Sequence, residues 1–206
     1  MPEQLSPAPV LEVERLHTTY SYAEYRQLLD ELMTHNRTTG PTQTEQIIQY
    51  ARLNVQRMQR LDKTVVLLPE LRHALDQLAR GYEWLIITEG WCGDAAQLVP
   101  VLEAVAQASQ GKITTRYVLR DDNLDLMDRY LTNGGRSIPK LVVLHADTLT
   151  EAAAWGPRPE PAQALFERLK HEQVPYEDFA TQLHGWYAKD RTLSTQHELL
   201  ALLRGL

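Results

Sequence analysis

The 206-residue chain is 43% apolar and 23% charged, the composition of an ordinary folded domain that can build a core. A net charge of −6 without a basic stripe excludes nucleic acid as a partner class, because phosphate recognition needs clustered Lys and Arg. No apolar run is long enough to span a bilayer, the first sixteen residues lack the segments of a signal peptide, and the one cysteine, Cys92, excludes an internal disulfide and a cysteine-rich zinc site; the expectation is a cytoplasmic protein with no membrane partner.

The first twenty residues carry three prolines and little periodicity, and read as an arm. From Ser21 the pattern turns helical. Ser21 and Glu24 have capping-box spacing, and Tyr25, Leu28, Leu29, Leu32 and Met33 form one stripe. Thr42 with Glu45 predicts a second capping box, opening a helix striped by Ile47, Ile48, Ala51, Val55 and Met58. Pro69 suits the first position of a third helix. Leu71, Leu75 and Leu78 give that helix an apolar face, and Gly81 stands at its expected stop.

At residue 84 the pattern changes again. Trp84–Thr88 is a short unbroken apolar run, as in a strand buried on both faces. A helix from Gly93 to about Ser109 follows, then a strand at Lys112–Leu119 and a short helix at Asp122–Leu131. Leu141–Leu144 reads as a second buried strand and Leu149–Ala154 as a weaker one antiparallel to it. A helix begins at Pro159 or Pro161. The order from residue 84 is βαβαββα, with the first two strands parallel because a helix crosses between them. Two further helices, Pro175–Lys189 and Thr195–Leu203, end the chain. The expected organisation is an arm and helical extension over 1–81, an α/β core over 82–173 and a C-terminal helical extension over 174–206.

The segment Thr88-Glu89-Gly90-Trp91-Cys92-Gly93-Asp94-Ala95 lies where the first strand meets its helix. Unpaired N–H groups at a helix start favour a thiolate by about 0.3–1 kcal/mol. Asp94 opposes it by a similar amount, about 1 kcal/mol at about 4 Å in water. An exposed Cys92 with a modestly shifted pKa is therefore expected.

Trp91-Cys92-Gly93-Asp94-Ala95 resembles the thioredoxin WCGPC motif, with Asp94 in place of the proline and Ala95 in place of the resolving cysteine. Pro100 resembles the proline within the active-site helix of that family. Ile138-Pro139 resembles its cis-proline loop, and Gly156 a glycine lining its substrate groove. The helical extensions are similar to those of bacterial thioredoxin family proteins. The resemblance implies a thioredoxin-like mixed sheet flanked by helices, with extra helices at the N- and C-termini. It implies Cys92 as the catalytic residue, and Trp91, Gly93, Asp94, Ile138, Pro139 and Gly156 as substrate-binding residues. The family's buried acid falls on Ile86, so the usual proton-transfer group is missing.

Two functions stay open. One is a monothiol exchanger, in which Cys92 meets a protein or low-molecular-weight disulfide and an external low-molecular-weight thiol resolves the adduct. The other is a redox-inactive binding or interaction module that keeps the groove. Aromatic residues on the terminal helices add a possible protein partner. No cofactor or metal is implied. The seven histidines lack zinc-site spacing. Asp121, Asn123 and Asp125 open like a calcium loop, but Leu126 and Thr132 replace its Gly and Glu.

Overall fold

A computed structural model of the chain describes residues 9–10 and 17–206; the rest of the proline-containing arm lies outside the described residues. Helix α1, Tyr22–Thr34, opens on the complete capping box: the Glu24 backbone N–H donates to Ser21 Oγ, and the Ser21 backbone N–H donates to Glu24 Oε2. Helix α2 spans Glu45–Thr64, and its cap is Thr44 rather than Thr42. The reason is reach, since a cap hydroxyl must accept from a first-turn N–H, and Thr44 Oγ1 accepts from Ile47 N at 3.3 Å. Helix α3, Pro69–Asp76, stops before Leu78 and well before Gly81. The end needs no glycine there, because Lys112 Nζ donates to the carbonyls of Leu75, Asp76 and Leu78.

The sheet strands are β1 (Tyr82–Thr88), β2 (Ile113–Leu119), β3 (Lys140–His145) and β4 (Glu151–Trp155). Helix α4, Gly93–Ala108, crosses from β1 to β2, and the four-residue α5, Leu124–Met127, follows β2. This last helix is shorter than the predicted Asp122–Leu131. Residues 120–123 form a turn, with Asn123 N–H on the Arg120 carbonyl and Asn123 Nδ2 on the Leu119 carbonyl. Beyond it Tyr130 turns inward and donates its hydroxyl to Glu151. Strand β4 starts two residues later than predicted because Leu149 adopts a positive φ of 54° and closes the hairpin turn onto His145.

Sheet order is β2-β1-β3-β4. β1 runs parallel to β2 and antiparallel to β3, with Ile86 opposite both Tyr117 and Leu141, and β4 runs antiparallel to β3. The βαβαββα reading therefore holds, and the fold is a thioredoxin-like mixed sheet with added helices. Trp84, Leu85, Ile86 and Ile87 of the central strand are fully buried, which explains the unbroken apolar run.

After β4 come α6 (Glu160–His171), α7 (Tyr176–Asp190) and α8 (Leu193–Arg204). Helix α2 packs along α4, α1 on α2 and β2, α3 on α8 and α4, and α6 on α7. Leu199, Leu200 and Leu203 of α8 belong to the main core cluster, while Leu183 and Tyr187 of α7 form a smaller cluster with Leu98 and Ala162. Among the described residues no helix is long and apolar enough to cross a membrane.

Candidate functional site

The loop from Glu89 to Trp91 carries the chain from β1 into α4, and α2 and its preceding loop hold it from behind. Thr39 Oγ1 accepts from the Gly90 N–H at 2.8 Å, and Asn54 Nδ2 donates to the Gly90 carbonyl at 3.1 Å. Asn54 lies on the same stripe as Ala51, Val55 and Met58 and is buried; a polar residue on an apolar stripe was the sequence signal for it. Glu89 is also buried, with Oε1 accepting the Asp121 N–H at 2.9 Å. Burial raises its pKa above the usual carboxylate value.

Cys92 is the N-cap of α4. Its Sγ accepts from Ala95 N at 3.5 Å, and its thiol donates to the Ile138 carbonyl at 3.4 Å. The sulfur is not at the surface: the residue is 7% exposed. That overturns the expectation of an exposed thiol with a modest shift. Burial, reinforced by the Asp94 charge, pushes the Cys92 pKa up to about 12, against the weaker pull of the Ala95 N–H and Arg158.

Helix α7 lies against the start of α4, beside Cys92. Gly93 is packed so tightly that a Cβ there would sit 2.9 Å from the His184 ring. His184 itself is held at a pKa of about 4, chiefly by burial and then by Arg57, so its ring is neutral near pH 7. Gln97 Nε2 lies 3.3 Å from its Nδ1.

Asp94 anchors this helix. Both its oxygens are engaged, Oδ2 by Arg158 Nη2 at 2.6 Å and Oδ1 by the Tyr187 hydroxyl at 2.7 Å. Arg158 is 7% exposed, stacks on Phe166 at 3.7 Å and donates to Gln163. Asp94 thus joins the start of α4 to the β4–α6 connection and to α7. Neither Arg158, Tyr187 nor His184 carried a sequence signal, because each reaches the site from a distant part of the chain without a recurring spacing.

A cavity of about 300 Å³ opens beside the sulfur. Of the sequence-predicted residues, Trp91, Cys92, Gly93, Asp94 and Ile138 line it. Pro139 and Gly156 are outside its lining. The Ile138–Pro139 bond is cis. Gly156 has a φ of 103°, and a Cβ there would come within 2.6 Å of the Pro139 carbonyl oxygen, so this close approach requires glycine. Gly156 faces a separate cavity of about 510 Å³ beside Trp155 and Glu198. The basic residues Arg120 and Arg136 also line the cysteine cavity.

The sheet order, the cysteine at the start of the crossover helix and the proline loop against it define a thioredoxin-fold protein with one buried thiol. The thioredoxin family model matches residues 40–170, more than half of the sequence, and the chain belongs to that family. It is similar to a solved protein of unknown function from Pseudomonas aeruginosa at 18% identity and a TM-score of 0.56, over 90% of this chain and 98% of that one. An HIV epitope-scaffold crystal structure is similar at 19% identity and a TM-score of 0.54, over 91% and 99% of the two chains. Both likenesses are of fold. No curated protein matches the chain.

Proposed function

We propose that this protein is a thioredoxin-like binding module, with a cavity beside Cys92 for a ligand and no turnover of disulfides. The observation that carries the reading is the state of the thiol. It is buried and donates to the Ile138 carbonyl, and the sequence contains no second cysteine to resolve an adduct. A nucleophile must be a thiolate, and burial holds this one protonated. Trp91, Cys92 and Ile138 line the cavity. Gly93 and Asp94 hold α7 in place, and Pro139 and Gly156 pack together outside the lining.

Monothiol exchange is the second reading, and one observation favours it: the Ala95 N–H already points at Sγ, as it would to stabilise a thiolate if α7 moved aside. Iodoacetamide alkylation of Cys92 in the native and urea-unfolded protein separates the two. A pKa near 12 against 9.0 predicts native alkylation slower by roughly 100-fold or more at pH 7.5. Little mixed disulfide should form with an activated aromatic disulfide. Native alkylation as fast as the unfolded rate, or a rapid stoichiometric mixed disulfide, would overturn the binding reading and establish exchange.

A further inference from the structure

The geometry points to a small organic anion as the occupant of the cysteine cavity: a carboxylate or phosphate monoester carried on a compact apolar body. The inference rests on the binding-module reading and names its ligand class. Its first support is charge. In a protein of net charge −6, three arginines line this cavity, Arg120, Arg136 and Arg158, against one carboxylate, Asp94.

Arg158 and Asp94 neutralise each other in a buried pair, and both Asp94 oxygens are already hydrogen-bonded. A cationic ligand therefore finds no unpaired carboxylate in the lining. Arg120 and Arg136 are placed differently. Their carboxylates, Asp121 and Asp128, stand outside the lining. The Arg136–Asp128 pair is bidentate but about half exposed on both sides, so solvent screens it and a ligand anion can compete with Asp128 for Arg136. Arg120 is held in orientation: its guanidinium lies 4.7 Å from the Trp91 ring centroid, Nη1 donates to the Arg136 carbonyl at 3.2 Å, and Nε and Nη2 both donate to Asp121 Oδ1, so a ligand anion would share these donors. The lining therefore carries two planar guanidinium groups whose carboxylates lie outside it, and such groups suit carboxylate and phosphate oxygens.

The second support is the remainder of the wall. Tyr176, Phe179 and Leu183 of α7 line the cavity together with Trp91, which suits an apolar or aromatic body. A volume of about 300 Å³ is at the small end of ligand pockets, so the body is compact.

The test uses the full chain and four probes of one shape: phenylacetate, phenyl phosphate, the neutral phenylacetamide and the cation benzylamine. Binding is measured by isothermal titration and by amide chemical shifts at low and high salt. At least one anion should bind saturably, about tenfold or more tighter than phenylacetamide and benzylamine. Added salt and the Arg136→Ala and Arg120→Ala variants should each weaken that binding. The tighter of the two anions identifies the carboxylate or the phosphate source. Arg136 is a surface residue, so its variant should stay folded, and its circular dichroism checks that. The inference is overturned if no anion saturates below about 10 mM, if benzylamine binds as tightly, or if both arginine variants bind as well as the parent. Failure of the anions with an unreactive Cys92 overturns this inference alone. A reactive Cys92 overturns the reading beneath it and takes this inference with it.

Discussion

Cys92 sits at a helix start, where partial positive charge stabilises an anion, yet its neutral form is strongly favoured. The dipole contributes about 0.3–1 kcal/mol, under one pKa unit, whereas burial and Asp94 together raise the pKa from 9.0 to about 12. Loss of water wins. The thiol then behaves as a hydrogen-bonded cap rather than as a nucleophile, and a hydroxyl can do the same work. Cys92→Ser should therefore match or exceed the parent in urea denaturation. Cys92→Ala, which removes the cap and the bond to Ile138, should lose about 0.5–2 kcal/mol. Equal loss in both variants would show that the sulfur's packing, not its hydrogen bonds, matters here. The motif around Cys92 was legible in the sequence because Trp91, Cys92 and Gly93 are contiguous. Its burial was not, because the α7 side chains that share its cavity begin at Tyr176, more than eighty residues later, and burial is decided in space.

Helix α7 is attached to the site chiefly through Asp94. Asp94→Ala should cost about 3–5 kcal/mol, since it leaves the buried Arg158 guanidinium uncompensated, with lost amide-exchange protection along α7. Tyr187→Phe removes one hydrogen bond to the same carboxylate and should cost only about 1–2 kcal/mol. The reverse ranking would place the anchor at Tyr187. His184 adds a pH dependence of definite sign. Its folded pKa of about 4 lies below its ordinary 6.5, so between those values the unfolded chain binds a proton that the folded chain does not. Stability should fall as pH drops from 6.5 towards 4, by on the order of 1–3 kcal/mol. In His184→Gln that part of the slope should vanish. A parent and variant with identical slopes would remove His184 as the cause. At this scale the sequence was readable wherever a cap or stripe is local, as at Ser21 with Glu24. It misled where a distant side chain finished an element, as Lys112 does for α3.

The order of elements along the chain, βαβαββα, was legible in short apolar runs and their connections, and the mixed sheet in the resemblance around Cys92. How the terminal helices close the core was not. Gln196 of α8 accepts from Leu68 N at 2.8 Å and donates to the Val66 carbonyl at 3.1 Å. Glu198 accepts from the Trp155 indole and from Glu160 N. Nothing in the spacing of these residues announces such pairings. Leu199, Leu200 and Leu203 are each buried, at about 1.5–3 kcal/mol apiece, against a typical total of about 5–15 kcal/mol. A chain ending at residue 192 should therefore lose its cooperative melt by circular dichroism. Retention of the parent's transition would mean that α8 is an accessory and that the sheet is self-sufficient.

That closure has a consequence for how the protein is made. Synthesis delivers α3 and β1 early, but β1 waits for its antiparallel neighbour β3, and α3, which α4 reaches first, completes its packing only with α8. Until α8 emerges, the nascent polypeptide keeps part of the apolar face of α3, which carries Leu71 and Leu75, uncovered on the ribosome. Those leucines make it a natural client for chaperones that recognise exposed apolar helices. Crosslinking of stalled nascent chains should show chaperone contact persisting until α8 has emerged; release soon after β3 emerges would mean that α3 finds cover without it.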